Sequence, residues 1–211
     1  MNTRDYKISA AGEVYHIYNR GNSKNNIFFQ EEDYNFFLTR LRQNLFPSTV
    51  KLNRYNRMQL LPENSFSLLS YCLMPNHFHL LIKQNLEISP SKLILKICTS
   101  YFKYFNKKYE HVGHVFQDRF KQILVDHNDY LIWLTAYIHQ NPKVSGLVTK
   151  LDEYSWSSYR EYLDKPSYDL CSKELILSQF KNRKDFLDST EAVYEIIKTR
   201  KDLEHLMLDN G

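Results

Sequence analysis

Residues 65–83 of the chain read SFSLLSYCLMPNHFHLLIK, and this stretch decides the fold. It holds two apolar runs, separated by Met-Pro-Asn at positions 74–76. Proline cannot donate a hydrogen bond to a strand ladder, and a Pro-Asn pair marks a turn. The stretch therefore predicts two β-strands joined by a turn or kink at Pro75, with the second strand over residues 78–83.

The segments on either side of this pair alternate between strand and helix patterns. Strands are predicted over residues 13–19 and 114–125, helices over 31–46, 90–109 and 128–140, a short loop and helix over 151–163, and two small polar helices over 172–208. The helix over 31–46 has acidic residues in its first turn, and the helix over 90–109 has proline in its first turn. Pro142 is expected to stop the helix over 128–140. This order is an α+β pattern, for which a ferredoxin-like antiparallel sheet with packed helices is one solution.

Composition limits the class of protein. The chain has 211 residues, of which 43% are hydrophobic and 25% are charged, as in a globular protein of one domain or one domain with an appendage. No stretch approaches the roughly 18 apolar residues of a membrane span, and the N-terminal residues do not resemble a signal peptide. Three dispersed cysteines form no CxxC pair, which favours a reducing compartment, so we expect a cytoplasmic protein.

Charge is distributed unevenly along the chain. Residues 1–125 contain 17 Lys and Arg against 9 Asp and Glu, whereas residues 126–211 contain 11 against 15. A net charge of +8 in the first part and −4 in the second indicates a site for a polyanion in the first part. An unevenly charged solvated surface is the alternative interpretation.

His77 and His79 are the first candidate site residues. In a strand, residues i and i+2 point to the same face, so the two imidazoles are expected side by side. Neutral imidazole is a good ligand for divalent metals, so the pair predicts a metal site. Two histidines on a half-solvated sheet face are the alternative. His16, in the first predicted strand, can face either way.

Tyr137 and Asn141 are the second candidate pair. On a helix they lie one turn apart on the same face, so a phenol and an amide oxygen can face one site. A core tyrosine with a satisfied hydroxyl, and an asparagine that caps the helix before Pro142, are the alternatives.

A third set mixes basic and aromatic residues, as a groove that follows a nucleic-acid backbone requires. A solvated helix face together with core aromatics is the alternative. The basic members are Arg20, Lys103, Lys107, Lys108, Arg119 and Lys121, and the aromatic members are Tyr101, Tyr104, Phe105 and Phe116.

Four motifs in this order carry a family resemblance: YCLMPNHFHLLI at 71–82, GHVFQDRFKQILVD at 113–126, YIHQNPKVSGLV at 137–148 and WSSY at 156–159. HIYNRGN followed by IFF near the N-terminus fits the same pattern. With these motifs the chain resembles the REP-associated tyrosine transposases, which are HUH single-strand nucleases, over about residues 12–163. Asp118 departs from the glycine that relatives commonly have before Arg-Phe.

The resemblance implies a ferredoxin-like nuclease domain over residues 1–163, followed by a helical extension over 164–211. It implies that His77 and His79 are metal ligands, that Asn141 is a third ligand, and that Mg²⁺ or Mn²⁺ is the metal. Tyr137 matches the nucleophile that forms a 5′-phosphotyrosine link to DNA. The expected substrate is then a single DNA strand that bears a hairpin. The basic residues expected to bind this strand are Arg20, Lys103, Lys107, Arg119 and Lys121.

Other functions stay open at this point. The same fold can bind hairpins as a regulator that does not cut. A nucleotide hydrolase with an HxHxH site is disfavoured because position 81 is Leu. The resemblance leaves open whether the protein acts as a monomer or as a homodimer.

Overall fold

Four antiparallel strands form one sheet in the computed structural model, which describes residues 9–51 and 59–199. The strands are β1 (Val14–Arg20), β2 (Phe66–Met74), β3 (His77–Gln84) and β4 (Lys121–Val125), in the sheet order β2-β3-β1-β4. The hairpin predicted from the 65–83 stretch is confirmed, with β3 beginning one residue earlier than predicted, at His77.

Helices cover both faces of this sheet. The described helices are α1 (Glu31–Leu45), α2 (Pro90–Tyr109), α3 (Asn128–Val144), α4 (Tyr159–Tyr162), α5 (Glu174–Leu177) and α6 (Arg183–Thr199), with 3-10 turns at Asn22–Lys24, Pro47–Thr49 and Leu151–Glu153. Local sequence explains the start of α2, because Pro90 is its first residue and Ser89 Oγ accepts a hydrogen bond from the Ser91 amide. The predicted α+β class is confirmed.

The two faces of the sheet bury different cores. Phe78 and Leu80 of β3 and Ile17 of β1 pack with α1 and α2. Leu81 of β3 and Val14 of β1 face the other way and pack with α3 and α6. Because side chains alternate along a strand, His77 and His79 share the face of Leu81, which is the face that α3 covers.

The strand predicted over residues 114–125 is wrong in its first half, because β4 begins only at Lys121. The preceding segment instead wraps around the end of β1. The Asn22 amide donates to the Val115 carbonyl at 2.9 Å, and the Gln117 amide donates to the Arg20 carbonyl at 2.9 Å. The apolar residues that alternate in this segment anchor an irregular loop to the core.

Helix α3 passes through Pro142 and ends at Val144, so the predicted stop at Gln140 is wrong. Proline removes one backbone N–H, and this deprives only the carbonyl of Ile138 of its helical donor. Near a helix end that loss is tolerated, and the Ser145 amide and hydroxyl then bond to the Asn141 carbonyl at 3.0 and 2.9 Å. Asn128, the predicted cap, is the first helical residue.

The C-terminal helix α6 packs directly on α3. Its apolar residues Phe186, Val193 and Ile197 are buried, and Gln140 Nε2 donates to the Thr190 carbonyl at 2.8 Å. Residues 200–208 of the predicted second helix lie outside the described residues. The division of the chain at residue 163 stays a prediction. Among the described helices, none has the length and apolar character needed to cross a membrane.

Candidate active site

His77 and His79 lie side by side at the start of β3, as predicted from their spacing. Both are fully buried, and their ring centroids are 5.0 Å apart with the rings nearly perpendicular, at 87°. The alternative of two histidines on a half-solvated face is therefore wrong. Two buried imidazoles on one face form the centre of the candidate site.

Neighbouring side chains fix both imidazoles through their Nδ1 atoms. Asn76 Oδ1 lies 2.6 Å from Nδ1 of His77, and His16 Nε2 lies 2.9 Å from Nδ1 of His79. A carbonyl oxygen only accepts hydrogen bonds, so Nδ1 of His77 donates to Asn76 Oδ1. In both rings Nε2 is thus the atom left to act as a ligand.

Burial disfavours the charged form of His79 and of His16. It lowers the pKa of His79 well below the ordinary value, and the neighbouring His77 and His16 lower it further. Burial also lowers the pKa of His16 to about 3. Nε2 of His79 is buried without a hydrogen-bond partner in the described part of the protein. A neutral imidazole with an unsatisfied buried nitrogen fits a metal ligand.

Tyr137 of α3 packs against His79 within one chain. Its ring centroid lies 5.6 Å from that of His79, at an interplanar angle of 81°. The Trp133 ring lies parallel to the Tyr137 ring at 5.3 Å, and Tyr137 is only 3% exposed. The structure therefore brings the predicted nucleophile to the predicted metal site.

Asn141 lies one turn beyond Tyr137 and is also buried. Its Nδ2 donates to the Tyr137 carbonyl at 2.9 Å, so Oδ1 is the side-chain atom that can act as a ligand. Within residues 9–51 and 59–199, no group of three or more His, Cys, Asp or Glu side chains is arranged to hold a metal. A metal on the imidazole pair needs another kind of ligand, and the role of Asn141 stays a prediction.

Arg20 and Lys121 lie on the same sheet face as the imidazoles. Arg20 is directly opposite His77 in the pairing of β1 with β3. Tyr18 is opposite both His79 on β3 and Lys121 on β4. Because directly opposite residues point to the same face, two of the predicted DNA-binding cations lie on the sheet face of the imidazole pair.

The remaining basic residues are placed differently. Arg119 is exposed in the loop before β4. Lys103 and Lys107 are exposed on α2, which covers the other face of the sheet. Lys108 Nζ lies 2.7 Å from Oδ1 of the buried Asp33, so this lysine serves the fold. The DNA-binding roles of the exposed residues stay predictions.

Sequence reasoning missed the residues that support the site. His16, Asn76 and Trp133 contact His79, His77 and Tyr137, respectively. Asn76 adjoins His77 in the sequence and Trp133 lies one helical turn before Tyr137. The sequence spacing therefore indicates both of these contacts. The contact of His16 depends on how β1 pairs with β3, which spacing does not specify.

Comparison with known proteins agrees with this geometry. A family model described as IS200-like transposase matches residues 14–141, more than half of the chain. A solved structure of a REP-associated tyrosine transposase bound to a REP hairpin has a TM-score of 0.54 and 13% identity, and the match covers 74% of this chain and 81% of that one. At this identity the likeness supports the fold. No curated protein sequence matches the chain.

Proposed function

The chain belongs to the family of IS200-like transposases, and from this premise we propose that it cleaves and rejoins single-stranded DNA through Tyr137. The contact between the Tyr137 and His79 rings, with His77 alongside, is the observation that carries the proposal. It supports the proposal because the Tyr137 phenol ring lies beside a pair of buried imidazoles in one chain.

The proposed reaction is a transesterification. The Tyr137 hydroxyl oxygen attacks the phosphorus of a phosphodiester and loses its proton, which is necessary because a free phenol with a pKa of about 10 is protonated at neutral pH. The bond from phosphorus to the 3′ oxygen breaks, and that oxygen takes up a proton. The products are a 5′-phosphotyrosine link and a 3′-OH. Attack by a 3′-OH on the link reverses the step, since the phosphoester bond is retained.

We further propose that Nε2 of His77, Nε2 of His79 and Oδ1 of Asn141 hold a divalent metal. The fit is supported by the buried, unsatisfied Nε2 of His79 and by the lowered pKa of that residue. Two imidazoles with one amide oxygen suit Mn²⁺ by affinity, while abundance favours Mg²⁺. When bound, such an ion offsets the negative charge that develops on the scissile phosphate.

Arg20 and Lys121 are proposed to hold the DNA strand at this site. Both lie on the face of the imidazoles, and cationic side chains position a nucleic acid through its phosphates. A hairpin-bearing strand is the proposed substrate because the structurally similar transposase is bound to a REP hairpin.

A second candidate function is hairpin binding without cleavage. The burial of Tyr137, which is 3% exposed with the Trp133 ring parallel to its own, favours this alternative because a phosphate must reach the hydroxyl. Cleavage requires this part of α3 to open when DNA binds, whereas a binding protein needs no such opening.

The two candidates differ in whether a covalent adduct forms. Labelled hairpin oligonucleotides with unpaired flanks of varied sequence are incubated with the protein and Mn²⁺, and adducts are resolved on a denaturing gel. We expect an adduct with the wild type, none with Tyr137→Phe, and an undiminished amount with Tyr130→Phe, a matched change two turns earlier on α3. An adduct with Tyr137→Phe contradicts the proposed nucleophile.

The metal role is examined in the same assay. We expect EDTA and His77→Ala to abolish the adduct while hairpin binding largely persists, with folding of the variant verified by circular dichroism. Full cleavage under either condition contradicts a metal-dependent reaction. Tight hairpin binding by the wild type without any adduct supports the binding protein instead.

A further inference from the structure

A cavity of about 570 Å³ lies outside the site described above, at the end of the sheet where β1 ends. The 3-10 turn that follows β1, Phe29, the last turns of α2 and the loop after α2 form its walls. Cavities of roughly 300–1,000 Å³ are typical of small-ligand sites, so the space suits a group of the size of a nucleotide.

One wall of the cavity is aromatic. Phe29 is 55% exposed, and its ring centroid lies 5.8 Å from that of Phe105 and 5.1 Å from that of Tyr109. A large aromatic ring exposed beside an apolar floor provides a surface on which a flat ring can stack.

Another part of the cavity lining is polar and carries no acid. Asn22, Asn25 and Asn26 are exposed, and their side chains make no hydrogen bond to the described part of the protein. Lys24 adds a cation, and among the described residues that line the cavity there is no carboxylate. Side-chain amides offer both donors and acceptors, which match the edges of nucleobases, and the lysine matches a phosphate.

This cavity is joined to the strand that carries the imidazoles. The Gly21 amide donates to the Asn76 carbonyl at 2.7 Å, and the Ile27 amide donates to the Pro75 carbonyl at 2.7 Å. Asn22 follows only two residues after Arg20, which is opposite His77. Two residues span at most about 7 Å, so a DNA strand on the imidazole face reaches the cavity within a few nucleotides.

We propose that the cavity holds one unpaired nucleobase of the DNA substrate. In this arrangement the base stacks on Phe29, its edge meets the amides of Asn22 and Asn25, and its phosphate meets Lys24. The inference rests on the proposed function and adds to it a base-recognition site away from the bond that is cut.

Abasic scanning tests the proposal. In the Tyr137→Phe background, which is expected not to cut, fluorescence anisotropy measures the affinity for a hairpin oligonucleotide whose unpaired flanking positions are made abasic one at a time. We expect one position at which loss of the base weakens binding by roughly 5- to 150-fold, the range for a stacked base. Adding Phe29→Ala is expected to remove most of that position-specific loss.

Two further variants sharpen the result. Leu95→Ala removes a different exposed apolar side chain, which is 59% exposed in the second turn of α2 and far from the cavity along that helix, and is expected to keep the full abasic profile. Asn22→Ala combined with Asn25→Ala is expected to keep the stacking position but to weaken its preference among the four bases. Folding of every variant is checked by circular dichroism.

The outcomes separate this inference from the proposed function. An abasic profile that is identical with and without Phe29→Ala overturns the nucleobase site, even where the wild type forms the covalent adduct. A Phe29-dependent position in a protein that never forms the adduct supports the site and contradicts the cleavage function. Uniform weakening of all oligonucleotides by Phe29→Ala, with no position affected more than the others, also overturns the site.

Discussion

Nε2 of His16 lies 2.9 Å from Nδ1 of His79, and both imidazoles are buried. The rings are nearly parallel, with centroids 5.1 Å apart and an interplanar angle of 17°. Because Nδ1 of His79 is engaged by this contact, Nε2 is its remaining nitrogen. We therefore expect His16 to orient the proposed metal ligand His79, as residues behind metal ligands commonly do.

Replacement of His16 by phenylalanine is expected to weaken Mn²⁺ binding by about 10- to 100-fold, the usual effect of losing such a supporting contact. Phenylalanine fills the space but offers His79 no partner, whereas His16→Gln keeps a polar group and is expected to retain most of the affinity. Isothermal titration with Mn²⁺ alone measures both. Equal affinity in wild type and His16→Phe contradicts the positioning role.

Asn141 offers a separate test of the metal site. Asn141→Ala removes the Oδ1 ligand and is expected to lower Mn²⁺ affinity, whereas Asn141→Asp keeps an oxygen and adds charge, so its affinity is expected to match or exceed that of the wild type. Titration in parallel with the His16 variants gives the comparison. If Asn141→Ala binds Mn²⁺ as the wild type does, the third ligand comes from elsewhere.

Trp133 is expected to shield Tyr137 from reagents in solution. The two rings lie parallel at 5.3 Å, and Tyr137 is 3% exposed. Trp133→Ala removes this cover, so we expect faster nitration of Tyr137 by tetranitromethane, followed by mass spectrometry of the α3 peptide. Trp133→Phe keeps an aromatic ring over Tyr137 and serves as the control. Unchanged nitration in Trp133→Ala indicates that other groups bury the tyrosine.

The hairpin and the pairing of His77 with His79 were predictable from sequence because both follow from local rules. Strand alternation places residues two apart on one face, and Pro75 has no place within a ladder. The choice of face is a tertiary outcome. Only the packing of α3 on the face of Leu81 brings Tyr137 to His79, and no local pattern specifies that contact.

What sequence reasoning missed depends on pairing between distant segments. His16 reaches His79 only because of the way β1 pairs with β3. Lys108 matched the basic pattern of a DNA-binding helix, yet the buried Asp33 of α1 is its partner. A basic residue that serves a nucleic acid and one that neutralises a buried acid have the same spacing on a helix, so packing alone distinguishes them.

Asp33 is expected to be critical for stability near the proposed nucleobase site. It is fully buried, and it accepts hydrogen bonds from Lys108 Nζ at 2.7 Å, Tyr109 Oη at 2.6 Å and the Phe29 amide at 2.8 Å. Asp33→Asn leaves these donors without a charged acceptor, so we expect a loss of roughly 2–4 kcal/mol in the free energy of unfolding. Urea unfolding measures it, with Asp188→Asn as an exposed control.

The contribution of Asp33 is also expected to depend on pH. Burial alone raises its pKa, but hydrogen bonds from Lys108, Tyr109 and two backbone amides outweigh burial and lower the pKa overall. A carboxyl with a lowered pKa in the folded state stabilises the fold above its unfolded pKa of about 4, and this stabilisation is lost as the pH falls. The stability difference between wild type and Asp33→Asn should therefore shrink below about pH 4. A constant difference contradicts this account.

The packing of α6 on α3 yields a test of the predicted boundary at residue 163. Ile197 is 2% exposed and Ile196 is 38% exposed on the same helix, so alanine at each position forms a matched pair. Both tryptophans of the chain, Trp133 and Trp156, precede residue 163 and report on the first part by fluorescence. If one cooperative unit includes α6, Ile197→Ala lowers the unfolding free energy seen by tryptophan by about 2 kcal/mol, whereas Ile196→Ala has little effect. An unchanged tryptophan transition in Ile197→Ala shows instead that the C-terminal segment unfolds separately.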